Sequence, residues 1–147
     1  VKSEIPDEDY IVPLGVADIK RAGGDITVVT YGTGVHWSLD AAEKLAADGV
    51  GVEVLDLRSL IPLDREAILA SVRKTGKLLI VHEATITGGI GAEIAALVSS
   101  QAFEYLDAPV RRIASPDTPV PYAPTLEDSV LPNAEKVAAA LRSLAAY

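Results

Sequence analysis

The stretch from Leu78 to Ile94 limits the choice of fold more than any other part of the chain. Leu78-Leu79-Ile80-Val81 is a continuous apolar run of β-formers, the pattern of a strand buried on both faces rather than of one face of a surface sheet. The polar pair His82-Glu83 follows at its carboxyl end. Gly88, Gly89 and Gly91 then permit a tight turn and close backbone approach, and Ile90, Ile94, Leu97 and Val98 resume at helical spacing. A buried strand, a glycine loop and a helix in that order make a β-loop-α unit. In open α/β sheets, sites gather at the carboxyl ends of the strands, so His82, Glu83, Gly88 and Gly89 are candidate interface or strand-end loop residues.

The same pattern recurs along the chain. Asp25 to Tyr31 reads as a buried strand ended by Gly32-Thr33-Gly34. A helix to about Ala47 follows, with Val35, Leu39, Ala42, Leu45 and Ala46 inward and Gly49 as its left-handed stop. Val52 to Leu57 is the second parallel strand. Asp64 is placed to cap a helix from Arg65 to Thr75, closed by Gly76. A helix from about Gly89 to Tyr105 leads to a fourth strand within Pro109 to Ala114. Ser115 to Ala123, with Pro124, carries four prolines in ten residues, which predicts a stiff extended loop. Pro132-Asn133 sets up a last helix from Ala134 to about Ala145, with Val137, Ala140, Leu141 and Leu144 facing the core. Alternating strands and helices specify a three-layer α/β/α sandwich on a mainly parallel sheet. The segment Val16 to Gly23 reads as a short edge strand or turn. Residues 1 to 16, with Glu4, Asp7, Glu8, Asp9, Pro6 and Pro13, suit an extended, solvated linker, or else an acidic surface strand.

At 147 residues the chain has the size of one domain. It has no cysteine, which excludes disulfides and thiolate metal sites. No apolar stretch approaches the roughly 18 residues of a membrane span, and no signal-peptide pattern opens the chain, so a soluble intracellular protein is expected. A formal charge of −8 argues against nucleic acid and for a basic protein partner. Methionine is absent too, which suggests a fragment or a processed product in which Val1 is not the biological start.

The search for chemistry yields a scaffold rather than an active site. Gly32-Thr33-Gly34 sits where a dinucleotide fingerprint would, but Trp37 occupies the place of the third glycine, and no Walker lysine follows either glycine loop. The loop Gly88 to Gly91 could present backbone N–H groups to an anion, or its glycines could serve close helix-to-strand packing. His36 and His82 lack a Ser, Cys or second His at nucleophile or metal spacing, which leaves each a structural or interface role. Trp37 is either an interface anchor or a core residue. The residues alone nominate no catalytic, cofactor-binding or metal-binding side chain.

Several motifs carry a resemblance. Leu55 to Asp64, Ser71 to Gly76, Val81 to Ile94, Ala108-Pro109-Val110, Pro116-Asp117-Thr118-Pro119 and Leu131-Pro132 occur in the order seen in beta subunits of the thiamine diphosphate-dependent 2-oxo acid dehydrogenases. The whole chain resembles the C-terminal, transketolase-type domain of such a subunit. The resemblance implies an interdomain linker over 1–16 and that domain over 17–147. It also implies a five-stranded, mostly parallel sheet with one antiparallel edge strand, which the segment around Val16 would supply. It implies that the parent enzyme uses thiamine diphosphate and Mg, held by the alpha subunit and the N-terminal half of the beta subunit, so that this domain binds neither. The parent would decarboxylate a 2-oxo acid and pass the acyl group to lipoamide. His82-Glu83-Ala84 with Thr87-Gly88-Gly89 resembles the branched-chain type, and Ala114 to Asp117 resembles bacterial pyruvate enzymes.

For the domain itself the resemblance implies contacts with a second beta subunit and an alpha subunit. It further implies docking to the small basic subunit-binding domain of the acyltransferase core through Asp107 and the terminal carboxylate of Tyr147. The implied location is a bacterial cytoplasm or the mitochondrial matrix. Two other readings are a free-standing ligand-sensing or interaction module and the same domain in a transketolase-like enzyme. Pro116-Asp117-Thr118-Pro119 speaks against the latter.

Overall fold

The computed structural model describes residues 7–147. No helix or strand precedes Asp18 among them. Glu4 and Pro6 of the acidic segment lie outside the described residues.

The chain runs β1 (Asp18–Arg21), β2 (Ile26–Thr30), α1 (Thr33–Ala46), β3 (Val52–Asp56), α2 (Arg65–Thr75), β4 (Leu78–Thr85) and α3 (Ile90–Gln101). A 3-10 turn at Phe103–Tyr105 then leads to β5 (Arg111–Ser115), α4 (Pro124–Val130) and α5 (Ala134–Ala145). The sheet order is β1-β3-β2-β4-β5, with every pairing parallel except that of β1 with β3. This is the five-stranded sheet with one antiparallel edge that the resemblance implied.

Alternation along the strands divides the apolar residues between two cores. Val28, Val54, Leu79 and Val81 face α1 and α5, where Ala41, Ala42, Leu45, Val137, Leu141 and Leu144 close over them. Val29, Leu55, Leu78 and Ile80 face α2 and α3, against Ile68, Val72, Ile94 and Val98. Each central strand is thus covered on both faces, which is why its sequence is continuously apolar. Truncating a fully buried side chain such as Leu79 to alanine would cost about 2–5 kcal/mol, a large part of a domain's stability.

The helix ends follow local chemistry. Asp64 Oδ1 accepts from the Ala67 N–H at 3.0 Å and starts α2, and Gly76, at φ 67°, closes it. Asn133 does the same for α5 through the Lys136 N–H, and Gly49, at φ 79°, follows α1.

Five expectations need correction. Ala46 is exposed, and Ala41 takes its place on the inner side of α1. The strand that begins at Leu78 passes through His82-Glu83 to Thr85, because β5 supplies a partner there: Thr85 lies beside Ser115, and the Ile86 N–H donates to the Ser115 carbonyl at 2.8 Å. The helix after it stops at Gln101, where Ala102, fully buried with φ −143°, turns the chain into the 3-10 turn. β5 begins at Arg111 rather than Pro109. Finally, the proline-rich loop gives way to the short helix α4, which Pro124 opens at a position where its missing N–H costs nothing. Trp37 packs partly buried against the α1–α5 core.

Candidate functional site

β2 and β4 are neighbours, yet α1 leaves β2 over one face and α3 leaves β4 over the other. Their carboxyl ends therefore flank the crevice where ligands gather in folds of this kind. Tyr31-Gly32-Thr33-Gly34 comes from one side and His82 to Gly91 from the other. Gly32 has φ 59°, and a Cβ on Gly34 would overlap Thr30 Oγ1, so this turn needs both glycines. Here the glycines serve backbone geometry.

His82 is fully buried. Its Nδ1–H donates to the Ala84 carbonyl at 3.1 Å, which leaves Nε2 as an unprotonated nitrogen with no hydrogen-bond partner among the described residues. That nitrogen faces the start of α3: a Cβ on Gly91 would overlap it, and one on Gly89 would come within 2.6 Å of Cε1. Gly89 and Gly91 are glycines because α3 rests on the imidazole. The Tyr31 ring stacks on the same imidazole, with centroids 6.5 Å apart and planes 13° from parallel. Burial holds the His82 pKa below the usual histidine range; the hydrogen bond to the Ala84 carbonyl opposes this, and the Arg112 guanidinium adds to it. Burial, with the Glu83 carboxylate, raises that of Tyr31.

The loop is pinned from β5. Arg112 Nη1 donates to the Ile86 carbonyl at 2.9 Å, and the Ser115 hydroxyl to the Glu83 carbonyl at 2.7 Å. The Thr87 N–H and hydroxyl donate to Asp117 at 3.0 and 2.6 Å, which holds the Asp117 carboxyl below its usual range. Sequence reasoning missed this role of Asp117, although its motif had been noticed. Of the expected strand-end group, Glu83 and Gly88 are exposed, while His82 and Gly89 are internal supports. Burial thus selects the structural role for His82; His36 is exposed on α1. Among the described residues no group of three His, Cys, Asp or Glu side chains could hold a metal ion.

The expected partner-binding residues lie at the opposite end of the sheet. Asp107 is exposed just ahead of β5, its N–H donating to the Gly76 carbonyl at 2.8 Å below the start of β4. The end of α5 runs to the same end of the sheet, with Ser143 beside Arg111 at the start of β5, and Tyr147 beyond it is exposed. Asp107 forms no salt bridge among the described residues. Beside it an open groove of about 570 Å³ runs between α3 and the segment Leu106–Val110, with Phe103 at its rim. The Arg73 guanidinium lies 5.7 Å above the Tyr105 ring. Phe103 and Tyr105 had no signal in the sequence beyond being aromatic after a helix, and Arg73 none beyond being basic in the last turn of α2.

The family described as "Transketolase, C-terminal domain" matches residues 15–137. The chain belongs to that family. Over its whole length it is 51% identical to the 2-oxoisovalerate dehydrogenase subunit beta of Bacillus subtilis, of which it covers 45%. Over 93% of its length it is 48% identical to the acetoin:2,6-dichlorophenolindophenol oxidoreductase subunit beta of the same organism, of which it covers 40%. A solved split gene transketolase, an inactive beta4 tetramer, superposes with a TM-score of 0.84 at 28% identity, over 98% of this chain and 46% of that one. This transketolase C-terminal domain therefore spans less than half the length of the proteins it matches here.

Proposed function

We propose that this transketolase C-terminal domain, residues 17–147 behind a linker over 1–16, belongs to the beta subunit of the decarboxylating component of a 2-oxo acid dehydrogenase complex. The parent enzyme would oxidatively decarboxylate a branched-chain 2-oxo acid and transfer the acyl group to lipoamide, in the cytoplasm of a bacterium or in a mitochondrial matrix. The observation that carries this reading is the 51% identity with a 2-oxoisovalerate dehydrogenase beta subunit along the whole chain. Near-equal identity to an acetoin oxidoreductase subunit fits a domain that does not itself choose the substrate.

Within that enzyme the domain's work is assembly. In this reading thiamine diphosphate and its Mg are held by the alpha subunit and the preceding half of the beta subunit, and this domain binds neither. The domain would contact a second beta subunit, and the tetramer formed by its split transketolase neighbour supports self-association of such chains. The acidic balance of the chain, the carboxylate of Asp107, without an ion pair among the described residues, and the exposed Tyr147 support docking of a basic domain there.

The test is a titration of this chain against the isolated subunit-binding domain of a 2-oxo acid dehydrogenase acyltransferase, at low and high salt. The expected result is salt-sensitive binding that Asp107→Lys weakens without changing the melting temperature. Unchanged affinity of that variant at low salt would overturn the placement of the docking site, and no binding by the wild type would overturn the docking role.

A further inference from the structure

We infer that the groove beside Asp107 is an apolar socket within the docking face, which receives a hydrophobic side chain that the basic partner carries next to the cation meeting Asp107. The inference rests on the docking reading above and adds to it a subsite and a residue, Phe103.

Four observations lead there. Ala95 and Ser99 of α3 form one wall of the groove, and Leu106, Pro109 and Val110 form the other, so its lining is largely aliphatic. Phe103 at the rim is 72% exposed and belongs to neither core cluster, so most of its ring is open to a partner. Asp107 lines the same groove, and among the described residues its carboxylate forms no ion pair. Finally, the groove is built on fixed parts: the backbone of Asp107 is tied to Gly76, and Ala108, at its floor, is buried in the α1–α5 core.

Magnitudes then favour an apolar contact. A solvent-exposed ion pair contributes about 0–1 kcal/mol and is screened by salt. One carboxylate and a chain terminus are too little for a stable complex, whose strength usually resides in a few aromatic or aliphatic anchors seated in dry pockets. An exposed phenylalanine bordering an aliphatic groove provides such a seat. The exposed carboxylates of Asp107 and Glu104 beside it select a cationic surface rather than an acidic one.

The experiment compares wild-type chain, Phe103→Ser and Asp107→Asn in calorimetric titrations against the purified acyltransferase subunit-binding domain over a range of salt. Phe103→Ser is expected to raise Kd about tenfold at every salt concentration, leaving the slope of log Kd against log salt unchanged. Asp107→Asn should reduce the slope instead. Circular dichroism melts of both variants should match the wild type, because both side chains are exposed. If the wild type binds and Asp107→Asn weakens it while Phe103→Ser does not, the socket is wrong and the docking role stands. If the wild type does not bind, both fall. If Phe103→Ser leaves binding unchanged but converts a dimer of the chain to monomer in sedimentation, the groove is a self-contact and the inference is overturned.

Discussion

The carboxylate of Asp107 occupies the space that a side chain on Gly76 would need, and the two residues are joined by the 2.8 Å hydrogen bond from the Asp107 N–H to the Gly76 carbonyl. The residue that ends α2 thus also sets the position of the proposed docking anion. Gly76→Ala would force a Cβ into a left-handed position and against Asp107 at once. The expected loss is about 1–3 kcal/mol in urea unfolding, accompanied by weaker binding of the subunit-binding domain at low salt. Wild-type stability in that variant would show that the contact is not a constraint.

The packing of α3 on His82 makes a second expectation. Gly91→Ala should cost about 1–3 kcal/mol by overpacking against the imidazole, and His82→Ala should relieve part of that cost, so that the double variant is less destabilised than the sum. Gly88→Ala is a control. Its φ of 75° carries a backbone penalty of about 1–2 kcal/mol, but its surroundings are open, so His82→Ala should not rescue it. Urea midpoints of the five variants form the double-mutant cycles.

Acidification should act through the same histidine. The folded state holds the His82 pKa below the ordinary value of 6.5, chiefly by burial. The unfolded chain therefore takes up this proton first as the pH falls. The stabilising effect is complete above the unfolded value and is lost progressively from there down to the folded one. Chemical denaturation from about pH 7.5 to about pH 5.5, above most carboxylate titrations, should show stability falling in the wild type and a flatter profile in His82→Gln. Parallel profiles would mean that His82 takes up its proton equally readily in the folded and unfolded chains.

Glu53 is a fully buried carboxylate in the middle of β3, and its hydrogen bond comes from Lys74 on α2, whose side chain is nearly half exposed. The other carboxylate oxygen has no hydrogen-bond partner among the described residues. Lys74→Met strands the charge and should destabilise the fold by about 1–3 kcal/mol. This is below the usual cost of breaking a buried pair, because water already screens the ammonium. Glu53→Leu combined with Lys74→Met should recover most of the loss in thermal melts. A harmless single Lys74→Met would show that the carboxylate is neutralised in another way.

Much of this could be read from residue order, and the failures have common causes. The apolar runs at 26–29 and 78–81 and the stop glycines Gly49 and Gly76 declare themselves because their requirements are local. The antiparallel direction of β1 came only through the family resemblance, since four residues of mixed polarity carry no direction of their own. His82 and Glu53 are polar by type yet wholly interior, a fact decided by which helices lie above them. The end of α3 at Ala102 has no glycine or proline to announce it. α4 was obscured because prolines that forbid a helix interior are welcome at its first turn. The strand-end residues were found by pattern, whereas the groove at Phe103 depends on Leu106–Val110 folding back beside α3.

Two hydrogen bonds, the Gly15 N–H to Ser59 Oγ at 2.8 Å and the Ala17 N–H to Asp64 Oδ2 at 2.9 Å, moor the approach to β1 onto the connection that leads into α2. Asp64 thereby caps a helix with one oxygen and holds the incoming strand with the other. The domain is consequently entered on a fixed heading. That heading is governed by a hitch at Ser59 and Asp64, two residues of the connection into α2 that sequence order places more than forty positions downstream.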